Sequence, residues 1–435
     1  MIALGWVFAI VSSIIFWGAA LEVLVRSLWH SGLNIKLWKV SPYTPSYTAV
    51  HSPLPLHKGD GLKVVLFAVG LRLVMILVAF LMLWHSSGAV PTFAQLMQAG
   101  TGWDDYRMMA EYGYFYHEDG QNLLLVFFPL YIYLTRFLGF AIRNFQLAAY
   151  IISFVSYVFA AYYLYRLVRL DFSKSVAKWA VVFISIAPPA FYFGTPMSES
   201  LLLLTSVITL YYIRVHKWWL AGVAGALAMA TRMVGAVLVI VAFVEFFTHF
   251  KVFALIKKSK WGEVWGHFRT KGAWIFLMFA GGAVYLFLNW WVSGNPFMFM
   301  YYQRVHWGNS TQYFGQTLLL QFRVINGDWM TPEMIRWTFV PNILAFTFAI
   351  ITIAYATKKR INVGYVIYAL GYVFISYSPS WLLSGSRYIT ACIPLFIFLA
   401  CMTEKRPVFR LTVAFIFIAG LLPMRYVLLT GGMVF

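Results

Sequence analysis

TGWDDYRMMAEYGYFYHEDGQNLLLVFFPLY, residues 101–131, is the polar interruption that decides how this chain is read. It holds five of the fourteen carboxylates in 435 residues: Asp104, Asp105, Glu111, Glu118 and Asp119. The sequence on either side runs apolar for about twenty residues at a time, enough to cross the hydrocarbon core of a bilayer. Hydrocarbon cannot hold a cluster of acids, so the stretch must lie at the water edge or line a cavity.

Composition agrees with that frame. The chain is 62% hydrophobic and 11% charged, where a soluble domain carries roughly a quarter charged residues. The fold class expected is therefore an all-α polytopic membrane protein. A net charge of +19 raises nucleic acid as a partner. The charge is not on one face, however, but in short Lys/Arg runs between apolar segments, the positive-inside pattern with some attraction to anionic lipid headgroups. No nucleic-acid partner is expected. Cys392 and Cys401, nine residues apart on one helix, point to roughly opposite sides, which supports neither a disulfide nor a metal site. The first apolar run passes Leu21 without a basic leader or a cleavage site and reads as a span, not a removed signal peptide.

Twelve spans are expected, near 3–25, 62–84, 145–167, 176–195, 198–214, 217–231, 233–250, 273–292, 337–356, 361–378, 388–402 and 407–427. Residues 1–61 read as a first span and a basic cytoplasmic segment, ahead of a transmembrane domain over 62–435. In and just after that segment Arg26, Lys36, Lys39, Lys58 and Lys63 outweigh Asp60. Twelve crossings put the basic runs at 166–178, 214–217, 251–271, 358–360 and 405–410 all inside. Counting apolar 123–140 as a further span would break that parity, so it reads as a re-entrant or surface-lying helix pair broken at Pro129. On this layout all fifteen lysines lie inside, and the outer basic residues are arginines: Arg107, Arg136, Arg143, Arg232, Arg304, Arg323, Arg336, Arg387 and Arg425. Arginine's planar fork grips phosphate by two parallel hydrogen bonds, and lysine cannot. Exclusion of lysine from outer loops gives the same bias without any function.

Five short motifs carry chemistry. GWDDY, 102–106, offers a carboxylate to take a proton from an attacking hydroxyl, or equally a solvated loop acid or a helix cap. GTPMSES, 194–200, reads first as a helix start capped around Ser198, with Glu199 in its positive field. A substrate-facing Glu199 is the alternative. ATRMVG, 230–235, and SGSRYITACIPLF, 384–396, set Arg232, Arg387 and Tyr388 at the outer ends of spans. GNPFMFMYYQRVHWG, 294–308, combines Gln303, Arg304 and His306 with aromatics that also suit interfacial anchoring. Arg72 lies about 13 Å inside the second span at 1.5 Å per residue, a functional position unless it snorkels.

WDDYRMMAEYGY followed by FFPLY resembles the first outer loop of the PIG-V-type mannosyltransferases, a family of GT-C membrane glycosyltransferases. SESLLLLTSVITLYYIR, WWLAGVAGALAMATRMVG, GNPFMFMYYQRVHWG and SGSRYITACIPLF fit the same pattern in order, from about Arg72 to Phe396. The resemblance implies a GT-C fold of about twelve transmembrane helices, with a large first outer loop carrying amphipathic or re-entrant helices. It implies a polyprenyl-phosphate-linked sugar donor, mannose in this family, and a lipid or glycan acceptor. Transfer would occur on the outer or lumenal face, in the plasma membrane of a bacterium or archaeon or the endoplasmic reticulum of a eukaryote.

Asp104, the acid after the tryptophan, matches the family's base; Glu199, Arg232 and Arg387 fall on other motif positions. The family has about two more residues before the alanine matching Ala110, which keeps Asp105 a candidate beside Asp104. Arg304, His306, Tyr388 and Arg72 complete the expected substrate- and phosphate-binding set. No cofactor is expected, and a divalent-metal requirement stays open. The first span looks like an addition to the family pattern that suits a partner membrane protein. Two other classes compete: a flippase for lipid-linked sugars, which needs the arginines but not the acid and tends to show internal repeats, and a non-catalytic binding subunit.

Overall fold

Only a structure that satisfies its own backbone hydrogen bonds can cross lipid, and helices are what these apolar runs form. The structure, a computed structural model, describes residues 2–33, 59–97, 102–114, 123–432 and 434. Glu118 and Asp119, and the basic positions Lys36, Lys39 and Lys58, lie outside the described residues. Among the described residues every regular element is helical, with one isolated bridge between Thr311 and Pro379.

Six helices are long and apolar enough to cross a membrane: Ala3–His30, Asp60–Ser87, Phe145–Asp171, Trp261–Ser293, Pro332–Lys358 and Pro407–Leu429. The other expected spans fall on the shorter helices Lys174–Ile186, Glu199–Arg214, Trp218–Thr231, Met233–His249, Val363–Tyr377 and Ile393–Thr403. Two of these are interior. No residue of Glu199–Arg214 or Ile393–Thr403 is exposed, as expected for helices apolar all round. Glu199–Arg214 packs between Phe145–Asp171 and Trp218–Thr231. Thr205 and Thr209 satisfy their hydroxyls within that helix, on Leu201 O at 2.8 Å and Thr205 O at 2.7 Å. Where Trp218–Thr231 meets Trp261–Ser293 the backbones nearly touch. A Cβ at Gly281 would stand 1.9 Å from the Ala226 carbonyl oxygen, the close small-residue approach by which helices associate in lipid.

The C-terminal ends of Phe145–Asp171, Glu199–Arg214 and Met233–His249 meet the start of Val363–Tyr377 at a basic end of the bundle. At the basic end Arg214 bridges Asp171 and Glu245, while Tyr365 donates to Asp171 at 2.7 Å and His216 meets Glu245 at 3.1 Å. The first helix is built into the bundle along one face. Phe16 packs on Phe314 with ring centroids 5.0 Å apart, and Arg26 donates to Ile361 O at 2.9 Å. Its opposite face shows Leu4, Val7, Ile14 and Leu21. Segment 123–140 splits at Pro129 as expected. A 3-10 turn, Leu123–Val126, precedes a helix, Pro129–Ile142, in which the proline takes the first turn, where it lacks no needed donor.

Candidate active site

The site grows from the turn between Lys174–Ile186 and Glu199–Arg214. Pro188 and Pro189 end the first helix and open a 3-10 turn, Pro188–Tyr192; Gly194 then takes φ +80°. This irregular backbone lies within the apolar bundle and needs donors. Arg72 supplies them. Its guanidinium donates to Ala190 O at 2.8 Å, Phe193 O at 2.7 Å and Ser185 O at 3.0 Å, and lies 4.2 Å over the Tyr157 ring. Arg72 therefore holds the turn and does not line the main cavity. Arg72→Met leaves three buried carbonyls without this donor, at about 1–3 kcal/mol each. The thermal unfolding midpoint in detergent should fall sharply, while donor KM at a permissive temperature stays near wild type.

The turn delivers Glu199 as the first residue of its helix. Ser198 is not the expected side-chain cap; its hydroxyl sits 3.0 Å from the Tyr106 hydroxyl. The Glu199 carboxylate is 2% exposed and holds two arginines by one oxygen. Arg232 Nη1 donates to Oε1 at 2.8 Å, and Arg387 Nε stands 3.2 Å from the same atom. Arg232 reaches it because the chain breaks there, extended between Trp218–Thr231 and a 3-10 turn, Met233–Ala236. Tyr388 lies under both guanidiniums, 4.6 Å from Arg232 and 5.5 Å from Arg387, and Tyr192 flanks Arg387 at 5.1 Å.

Tyr106, Tyr192, Arg232, Arg387 and Tyr388 line a cavity of about 390 Å³ together with Asp105, with Glu199 behind the arginines, within the size range of small-molecule sites. Successive residues on a helix point about 100° apart, and the Gly102–Tyr112 helix turns Asp105 inward. Burial, and then the charge of Asp104, push the Asp105 carboxyl up from 3.8 to about 6. The Asp104 side chain is 69% exposed and pairs with Arg107 at 3.9 Å on the helix surface. The structure thus brings Asp105, Arg232, Arg387 and Tyr388 to one cavity, with Glu199 behind them. It does not bring Asp104, Arg304 or His306 there; the last two are exposed. Among the described residues no three His, Cys, Asp or Glu side chains gather as a metal site.

No family model matches the chain, and no curated protein does. Solved structures give a distant likeness. The Archaeoglobus fulgidus oligosaccharyltransferase in its apo form aligns at TM-score 0.44 and 14% identity, over 86% of this chain and 56% of that one. The oligosaccharyltransferase AglB from the same organism, with an inhibitory peptide and a dolichol-phosphate, aligns at 0.44 and 15%, over the same shares. ArnT from Cupriavidus metallidurans bound to undecaprenyl phosphate aligns at 0.47 and 16%, over 84% and 75%. The chain spans about half the length of the oligosaccharyltransferase. At these values the likeness does not assign the chain to a family.

Sequence reasoning passed over two buried amides that fix the Arg387 loop. Asn342 Nδ2 donates to Leu382 O at 3.2 Å and Leu383 O at 3.1 Å, and its Oδ1 accepts from Ser386 N at 2.8 Å. Gln321 Nε2 donates to Leu382 O at 2.9 Å. Both are fully buried. The available signal was a lone amide inside the apolar run TFVPNILAF, which must find partners. Asn309 and Trp381 also line the cavity without having been singled out; Gln303, and Trp307 from among the aromatics read as interfacial anchors, line it too.

Proposed function

We propose that the chain is a membrane glycosyltransferase of the GT-C type, transferring a sugar from a polyprenyl-phosphate donor with inversion. The carrying observation is one cavity that holds a half-buried carboxylate with a raised pKa and two arginines on a shared counter-charge. Asp105 takes the proton of an acceptor hydroxyl as its oxygen attacks the anomeric carbon. The bond from that carbon to the phosphate oxygen breaks, and the electron pair leaves with the phosphate. Arg387 and Arg232 stabilise the charge developing there. The PIG-V resemblance makes mannose the sugar to try first, with the site on the outer or lumenal face. A partner protein on the first helix remains part of this reading.

The test is transfer of radiolabelled mannose from polyprenyl phosphate in vesicles reconstituted with the purified full-length protein. Movement of intact donor across the bilayer without new glycosidic product would replace this reading by the flippase.

The raised Asp105 pKa sets the pH dependence. A base must be ionised, so transfer should rise with pH and reach half its plateau near about 6. Asp104→Asn removes a like charge and should move that limb to lower pH while keeping the plateau. Stability runs the other way. The folded state holds this proton more tightly than the unfolded state, so the contribution of Asp105 weakens as pH rises from about 4 to about 6. A pH–rate series on the wild type and Asp104→Asn checks both limbs.

A further inference from the structure

Asp105 stands on a short helix, and a general base works only where its carboxylate is held to within a fraction of an ångström. The eleven residues of Gly102–Tyr112 give that helix little stability of its own, so its place is set by what it touches. Tyr106, Met109 and Ala110, spaced three and four apart, form its buried face, while Asp104 and Arg107 pair on the outside. Its C-terminal end is held by Arg136 on Pro129–Ile142. Arg136 Nη1 donates to Ala110 O at 2.9 Å and to Glu111 O at 3.0 Å, satisfying carbonyls that a helix end leaves open and suiting the negative end of its dipole.

The other tie lies next to Asp105. The Tyr106 ring packs edge-on against Phe127 at 5.2 Å and Tyr131 at 5.3 Å, and its hydroxyl lies 3.0 Å from that of Ser198. The turn that carries Ser198 is itself held. Ser153 Oγ donates to Met197 O at 3.0 Å and sits 3.0 Å from the Tyr131 hydroxyl. Ser198 immediately precedes Glu199, the shared counter-charge of Arg232 and Arg387. A single buried hydroxyl pair thus joins the helix of Asp105 to the turn that anchors the arginines.

We infer that Tyr106 is a positioning residue, whose hydroxyl, through Ser198, sets the place of the Asp105 carboxylate relative to the Arg232–Arg387 pair. This rests on the reading of Asp105 as general base and deepens it. Losing either hydroxyl leaves its buried neighbour without that partner. The ion pairs of the arginines with Glu199 run through neither hydroxyl, so the phosphate end of the site should stay intact. Asp105 alone is displaced, and a misplacement of about 1 Å costs on the order of a hundredfold. The charged and titratable groups near Asp105 are Asp104 on its own helix and Arg232, Arg387, Tyr192, Tyr372 and Tyr388 around the cavity. Tyr106→Phe alters none of them. A shift of the Asp105 titration then reports movement of the carboxyl; movement towards water relieves the burial that raises it to about 6 and takes it down towards 3.8.

Initial-rate transfer by the full-length protein in reconstituted vesicles, followed across pH, tests this. In Tyr106→Phe and in Ser198→Ala, kcat should fall about ten- to a hundredfold, donor KM should stay near wild type, and the acid limb should move to lower pH. The double variant should be no worse than either single one, because both remove the same bond. Labelling of Asp105 by a carbodiimide across pH, read by peptide mass, follows the same titration without any substrate. Tyr365→Phe removes a buried hydroxyl from Asp171 at the basic end; it should lower the melting midpoint while kcat and the limb stay as in wild type, which separates lost stability from lost position. A wild-type kcat, an unmoved or raised limb, or additive losses in the double variant overturns the positioning role alone. Transfer that is absent from the wild type, or indifferent to Asp105→Asn, overturns the general-base reading with it.

Discussion

Asp105→Asn should lower sugar transfer by about 10²–10⁴-fold, the usual contribution of a positioned general base, while Asp104→Asn keeps most of its activity at neutral pH. The amide is nearly isosteric and cannot accept the acceptor's proton. Among the described residues Asp105 makes no ion pair that the substitution would break, so the fold should survive. Removing a carboxylate whose ionisation burial opposes should also raise the thermal midpoint slightly at neutral pH, where wild-type Asp105 is charged. Loss of activity with retained or improved stability separates a catalytic role from a structural one. The assay is initial-rate transfer in vesicles with folding checked by size exclusion. Equal loss in both variants would mean that the pair acts as a unit. Full activity in Asp105→Asn would remove this helix from the chemistry.

The choice between these two acids shows what a sequence holds and what it does not. The helices were legible because hydropathy over twenty residues is a strong signal, six of the expected spans falling on helices long enough to cross a membrane and six on shorter ones, and Pro129 because its missing N–H restricts where it can stand. The motif residues were legible as types: acids in GWDDY, arginines at span ends, aromatics in MYYQRVHWG. Their phase was not. Neighbours on a helix point about 100° apart, and that angle turns Asp105 rather than Asp104, and Gln303 and Trp307 rather than Arg304 and His306, towards the cavity. Glu199 read first as part of a helix start because a carboxylate suits that place, and its two arginine partners come from segments 33 and 188 residues away. Arg72 was singled out as an intramembrane charge. Its real demand came from the carbonyls of a proline-broken turn more than a hundred residues later, which no local pattern connects to it.

Arg387→Lys should reduce transfer by about 10²–10³-fold, the range for losing one oriented donor to a developing charge, with donor KM rising as well. The substitution keeps the charge but gives up the planar fork, and the shorter reach breaks the stack on Tyr192 and Tyr388. Glu199→Gln probes the other half of the arrangement. Two guanidiniums share Glu199 Oε1; without its charge they repel each other in a buried setting, and an anion becomes their best remaining partner. Glu199→Gln should therefore unfold at a lower temperature than wild type when free and recover more of its midpoint on adding a short-chain prenyl phosphate, because a ligand that binds only the folded state stabilises it by mass action. Arg387→Lys should recover less than wild type. Both shifts are read from melting curves in detergent with and without prenyl phosphate, at fixed low salt. If Glu199→Gln gains no more from the phosphate than the wild type does, the arginine pair serves packing and the donor phosphate is held elsewhere.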